Sequence, residues 1–343
     1  MADYNINEHY SLPDKAKALA KDGKNVLPII FTMNLNVDDF FKDIPFKECN
    51  RGISHVFRRD NEMAPSETRR AYKGIKSTKL GAHLVTEHIV VKQRLRSIDR
   101  MALLGLSDEA KKQELDNQDK GHQRRLGEDT VDVFFNGGIG EDGTLIRGLK
   151  ERLDTISGNA LGNVLSCGHS SAINNSRIYL VDWQLEFGAY GIYPTAFMGM
   201  GDLGVKSENF KLQKVVDPND TEASYMAFEA RHTAALGLAV GDNLKIACLA
   251  NINTDEDGSN NFISGNGSRK IMKLLNLGHF NLGTTRMYCN EDIKTQFDIL
   301  GNEKSNLTLS SVEVFGRKVD AFRQIPIRVL DRAILNNSCA VVS

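Results

Sequence analysis

The 343 residues are 41% hydrophobic and 25% charged, and 43 basic side chains nearly cancel 44 acidic ones, which excludes a disordered chain and a general polyanion binder and leaves room for one large or two ordinary domains. Cys49, Cys167, Cys248, Cys289 and Cys339 are odd in number and scattered, with no C-x-x-C pair, so the expected compartment is a reduced one. The first ten residues are polar and no later stretch approaches the ~20 apolar residues that span a bilayer, so cytosolic synthesis is expected.

Residues 1–24 contain Pro13, Gly23 and no sustained periodicity, which reads as an extended arm that needs something to lie on. Apolar residues from Val26 through Phe31, Val37, Phe40, Phe41 and Ile44 recur at helical spacing, with Pro28 in a first turn. From Gly52 to Ile98 the character is that of strands, Ile53–Phe57 and Leu84–Val91, around a polar span holding Pro65 and Gly74. This predicts a long hairpin in which basic residues far outnumber acidic ones. An isolated ribbon so polar is marginal in water, so its core is expected from elsewhere, namely another subunit.

Residues 108–135 are the longest helical stretch, with Ser107 and Asp108 at the cap and first turn and a thin stripe of Leu115, His122, Leu126 and Val133. Gly121 and Gly127 each cost it ~1 kcal/mol relative to Ala. A mostly polar helix with a thin seam packs along a sheet or bridges subunits. A short helix, 145–153, precedes a Gly/Ser/Asn-rich connector at 157–176. Strands are expected at 177–183, 225–230 and 244–252, then an acidic loop at 253–268. Helices at 269–277 and 290–300 and a hairpin across Gly316, 308–329, complete the chain. Helices and strands intermix without a βαβ rhythm, so the class is α+β.

Motifs for chemistry lack their contexts. Gly199-Met200-Gly201-Asp202-Leu203-Gly204 matches a dinucleotide fingerprint by letter, but 206–210 offers no amphipathic helix to meet a pyrophosphate. Gly168-His169-Ser170-Ser171-Ala172 sits in a small-residue connector and not at a strand-to-helix elbow. Asn253, Asp255, Asp257 and Gly258 follow a calcium-loop spacing, yet Ser264 stands where the bidentate Glu belongs. His83 and His88, five apart in a strand, face opposite ways. The basic hairpin has only Phe57 and Tyr72 as aromatics, poor material for stacking bases. Neither catalytic residues, nor a cofactor, nor a metal site is therefore expected.

Four ordered stretches carry a resemblance. They are Phe57-Arg58-Arg59-Asp60-Asn61-Glu62 with Pro65-Ser66, and Tyr179-Leu180-Val181-Asp182-Trp183 with Gly191-Ile192-Tyr193-Pro194. Gly237-Leu238-Ala239-Val240 with Ala250-Asn251-Ile252 is the third, and Met287-Tyr288-Cys289-Asn290 running to Ile325-Pro326-Ile327-Arg328 and Asp331 is the fourth. In this the chain resembles the major capsid proteins of short-tailed phages similar to epsilon-15 and the Bordetella phage, which have a variant of the Hong Kong 97 (HK-97) fold. Met63, Gly241, Asn243 and Gln324 depart from the family pattern.

The resemblance implies an HK-97-like fold, rearranged as in the Bordetella phage subunit. Its parts would be an N-terminal arm and short helix (1–46), an E-loop hairpin (47–100), a P-domain with a spine helix (101–160 and 220–252) and an A-domain (161–219 and 253–343). It implies self-assembly as hexamers and pentamers into an icosahedral shell around double-stranded DNA, in the virion. A scaffold, a portal and a cementing or decoration protein are implied as partners, with no membrane. A nanocompartment shell of the same fold and a cellular enzyme are the alternatives. For the interface between subunits the expected residues are Arg58, Arg59, Asn61, Glu62, Arg69 and Arg70 on the hairpin. Asp108, Glu109 and Glu114 on the spine helix are candidate partners, together with Asp116, Glu128 and Asp129. The competing reading is solvated surface charge, worth ~0–1 kcal/mol per pair.

Overall fold

The computed structural model describes residues 40–62, 68–69, 71–74, 81–103, 108–138, 146–156, 161–195, 204–217, 220–303, 309–314 and 317–343. Most of the expected 26–44 helix and residues 199–203 of the glycine motif lie outside these. Helical backbone at 40–43 seats Phe40 and Phe41, both buried, at the entrance to the core.

In chain order come β1 (Phe46–Glu48), β2 (Ser54–Glu62), β3 (Gly81–His88) and β4 (Val90–Asp99), then α1 (Asp108–Asn136) and α2 (Leu149–Arg152). Next are β5 (Val164–Ser166), β6 (Asn175–Asp182), β7 (Ala189–Tyr193), β8 (Val205–Asp217), β9 (Asp220–Val240) and β10 (Ile246–Asn253). The chain ends with α3 (Gly267–Gly278), β11 (Thr285–Cys289), α4 (Glu291–Glu303), β12 (Leu309–Val314), β13 (Arg317–Phe322) and β14 (Ile325–Val329).

The largest sheet runs β12-β13-β14-β11-β6-β10-β5. Every residue of β6 and β10 is buried, because helices cover one face and the aromatic core the other, so neither strand shows an alternating pattern. On the helical side Ile271, Leu274 and Leu275 of α3 and Ile293, Phe297 and Leu300 of α4 lie at the three- and four-residue spacing that lines one helix face. On the other side Phe40, Phe134, Phe135, Tyr179, Trp183 and Tyr288 meet mostly edge to face or tilted. The indole Nε1 of Trp183 donates to the Tyr288 hydroxyl at 2.7 Å, so this buried polar pair is satisfied.

A second sheet orders β1-β7-β9-β4, with β8 also on β9. β9 spans twenty-one residues and links the part of this sheet near the core to the part beneath α1. Gly237 is obligatory in β9: a Cβ there would meet the His88 carbonyl oxygen at 2.4 Å. β2 and β3 form a separate two-stranded sheet.

Several expectations shift. The stretch 84–91 is two strands: the chain leaves the hairpin at Ile89, whose N–H donates to the Ile53 carbonyl at 3.2 Å, and β4 joins another sheet. Residues 205–217, for which no strand was expected, are β8 and pair with β9, while β10 sits in the seven-stranded sheet beside β6. Strand patterning shows neither where one strand hands over to the next nor which strand it pairs with, and a strand with polar residues on both faces escapes it. α2 starts later than expected, with Gly148 before it. The carboxyl end is clasped as well: Asn251, at φ 55°, donates to the Val342 carbonyl at 2.8 Å and accepts from its N–H at 2.9 Å. All five cysteines are free thiols. Among the described residues no helix is long and apolar enough to cross a membrane.

Candidate assembly interface

The hairpin presents two unlike faces, because residues directly opposite in β2 and β3 share a face and alternate along each strand. His55 opposite Glu87, Phe57 opposite Val85 and Arg59 opposite His83 form one face; Val56 opposite Thr86 and Arg58 opposite Leu84 form the other. The first is latched to the body. Glu87 accepts two hydrogen bonds from Arg152, at 2.9 and 2.6 Å, and the two side chains are 6% and 9% exposed. Arg59 donates through Nε to the Gly241 carbonyl at 2.8 Å and through Nη2 to the Val240 carbonyl, and its guanidinium stands 5.8 Å from the Phe57 ring centre. Its second face is open. Leu84 is 71% exposed and Arg58 is exposed beside it. A groove of about 830 Å³ separates the hairpin from the body, edged by His83, Glu87, Arg147, Glu151, Arg152 and Asp154.

Among the expected interface residues, Arg58 and Arg69 are exposed. Arg59 is instead committed to two carbonyls of its own chain. Asn61 and Glu62 end β2, and Asp108, Glu109 and Glu114 occupy the first turns of α1, while their side chains, that of Asp116, and Arg70 lie outside the described residues. Glu128 and Asp129 are engaged within the chain: Glu128 with Arg124 and Arg125, at 3.2 and 3.3 Å, and Asp129 with Arg125 and Arg94, at 3.0 and 3.3 Å.

The layer between α1 and its sheet is polar along much of the helix. Arg96 of β4 donates to the Leu115 carbonyl at 3.3 Å and covers the Phe210 ring. His232 of β9 lies 2.6 Å from Asp119 through Nε2 and 2.7 Å from the Ser207 hydroxyl through Nδ1, and Gln123 donates to Asp119 at 2.7 Å. The order resembles a hydrolytic triad, but serine and aspartate meet the opposite ring nitrogens from those of a triad, and His232 is 1% exposed. The three tie the middle of α1 to β8 and β9. Beyond the helix the same sheet face turns apolar and open, with Leu212, Val216 and Met226 between 41% and 55% exposed and Met101 nearby at 69%. Contiguous exposed apolar side chains mark contact surfaces. Sequence reasoning missed this second surface because 205–217 was not read as a strand, although Leu212, Lys214 and Val216 fall on one face at period two.

Two of the motifs set aside earlier form hydrogen-bonded turns. Gly168, at φ 100°, turns the loop from β5 to β6, and His169 donates to the Ile173 carbonyl at 2.9 Å. In the acidic loop Asn253 and Asp255 accept from the N–H groups of Asp255 and Asp257, at 3.0 and 3.3 Å. Burial pushes the Cys49, Cys248 and Cys289 thiols up to about 12 and Cys167 to about 11, which keeps them protonated at neutral pH.

The solved structure of bacteriophage epsilon15 is similar over 88% of this chain and 88% of its own, with a TM-score of 0.64 at 20% identity, which shows a shared fold. The bacteriophage JBD30 capsid aligns over 86% of this chain and 90% of its own at 9% identity and a TM-score of 0.43. The SrpI encapsulin of Synechococcus elongatus aligns over 65% and 89% at 9% identity and 0.39. No curated protein matches the chain by sequence. The fold is thus α+β and HK-97-like. The model of the family described as Major capsid protein GP7 matches residues 21–342, nearly the whole chain. This match decides the assignment: the chain belongs to the Major capsid protein GP7 family, a family of shell-forming structural proteins and not of enzymes.

Proposed function

We propose that this capsid protein closes, as homohexamers and homopentamers, into the icosahedral shell of a phage virion and encloses double-stranded DNA without sequence-specific contact. The observation that carries the reading is the hairpin. It is a two-stranded sheet paired with no other strand among the described residues, latched on one face and carrying Arg58 and Leu84 outward on the other. A lone ribbon is marginal, and a neighbouring copy supplies the missing surface, repeated around a closed symmetric assembly. In this reading residues 1–46 are the arm and 47–100 the E-loop. Arg58, Arg69 and Arg70, with Asn61 and Glu62, meet acidic partners such as Asp108, Glu109 and Glu114 of another subunit. β8 joins the P-domain with α1 and β9, on the sheet where the last strand of the E-loop segment, β4, also lies, and β10 joins the A-domain.

The near balance of charge supports a genome driven into a preformed shell, because a coat dense in basic tails would hold DNA through counterion release. Assembly in the host cytoplasm, a scaffold, a portal and a cementing or decoration protein belong to the same reading, and we assign the chain no catalytic role. Negative-stain electron microscopy of the purified protein, with and without co-expressed phage structural genes, tests it. Closed particles, or hexamers and pentamers of one size, are expected; a stable monomer under every condition overturns it. A co-purified genome distinguishes a phage shell from a nanocompartment.

A further inference from the structure

Two histidines sit at the joints where the protruding elements meet the body. His55, on the latched face of the hairpin, is 4% exposed, and its Nδ1 is buried without a hydrogen-bond partner. Its ring stands edge-on to Tyr190, 6.0 Å between centres, and beside Phe57. The charged groups facing it are Lys47 of β1, Glu186 of the turn before β7 and Glu87 of β3, the last already paired with Arg152. His122, midway along α1, is half-buried, and its Nδ1 too is buried without a partner. It faces Arg94 and Arg96 of β4 and His232 of β9; the one carboxylate near it, Asp119 on its own helix, is shared with His232 and Gln123. Ser207 of β8 closes the far side of His232.

Each site accepts a neutral imidazole and penalises a charged one. An imidazolium at His55 is cut off from water among aromatic rings, and at His122 it meets two guanidinium groups and a second imidazole. We propose that His55 and His122 make both joints acid-labile, so that on acidification the hairpin and the front of α1 detach from the body while the seven-stranded sheet stays folded. The device stands on the geometry of one subunit; its use, resetting the surfaces that meet neighbouring copies, rests on the shell reading above.

The direction follows from linkage. Burial, reinforced at His55 by Lys47 and at His122 by Arg96 and Arg94, holds both imidazoles below the ordinary histidine value. A depressed folded value means that the neutral form is favoured in the closed joint. That stability is complete above an unfolded value of about 6.5 and is lost as pH falls toward the folded value.

Amide hydrogen exchange of the full chain at about pH 8 and about pH 5, corrected for intrinsic rates, reads each joint separately. Protection in 54–62, 81–88 and the front of α1 is expected to fall by up to about tenfold for each pH unit below about 6.5, the limiting slope for one proton, while β6, β10 and β11 keep theirs. His55→Gln and His122→Gln, which cannot take up the proton, each remove the response of their own joint alone. Since a substitution at a buried site can prevent folding, exchange at the imidazole C2 position in the unaltered protein gives a second reading, in which both histidines titrate below about 6.5. Titration at or above that value, unchanged protection, or equal loss in all three sheets each overturns the proposal. These readings are obtained whether or not particles form, so a failure of the shell reading, seen as absent particles, is distinguishable from a failure of the joints.

Discussion

Glu87 and Arg152 lie sixty-five positions apart, yet their side chains exclude almost all water from a two-point contact. Such a pair orients more than it stabilises, because the attraction must first offset the desolvation of both ions. Removing one partner is a different matter, since it leaves the other buried and uncompensated. Glu87→Ala is expected to cost about 3–5 kcal/mol, and the double variant with Arg152→Ala should cost less than the sum of the singles because the two groups share one interaction. Urea unfolding followed by the emission of Trp183, the single tryptophan, measures this; an unchanged midpoint in Glu87→Ala contradicts the latch. Asp43 makes the same point at the entrance to the core, where it is held between Arg286 at 2.8 Å and Arg328 at 2.7 Å with no exposure of its own side chain.

At the scale of elements, α1 is two helices in one. Its last turns are core, with Val131, Phe134 and Phe135 fully buried, and Phe134→Ala is expected to destabilise the fold by about 3–5 kcal/mol through the cavity it leaves. Its front turns rest on arginine, histidine and aspartate. There Gly121 is exposed and nothing lies within 4 Å of where its Cβ would stand, so Gly121→Ala should stabilise the helix by about 0.5–1 kcal/mol. A rise in the thermal midpoint is expected; a fall means that the front of the helix does not keep its helical form. The helix itself was legible, read as 108–135 and found as Asp108–Asn136, because length and capping survive a weak apolar stripe. Its adhesion was not, because Asp119 and His232 are distant in sequence and carry no periodic signal. For the same reason Glu128 and Asp129 read as candidates for another subunit, when Arg94 of β4 and the helix's own Arg124 and Arg125 take them. β6 was legible as a continuous apolar run, whereas β8, with lysine, glutamate and glutamine between its apolar residues, was not.

For the whole molecule, the question is which surface makes a folded subunit into a shell. The architecture divides stability from assembly: the seven-stranded sheet and the aromatic cluster fold the chain, and the hairpin and the far end of β8 and β9 leave apolar side chains in water. Leu84 is the cleanest case, 71% exposed on the open face of the hairpin and opposite Arg58 across the strands. A polar substitution there should change the stability of the lone subunit by no more than about 0.5 kcal/mol. In a closed shell the same loss recurs at every copy, and burying a carboxylate without a partner adds a desolvation cost at each contact. Leu84→Asp is therefore expected to leave Trp183 emission and the urea midpoint at wild-type values while abolishing closed particles by negative-stain microscopy. Arg58→Glu should reduce particle yield in a salt-dependent way, since a rim charge steers association more than it holds the contact. Wild-type particles from Leu84→Asp would place the contact elsewhere, and the exposed Leu212, Val216 and Met226 would be the next surface to alter.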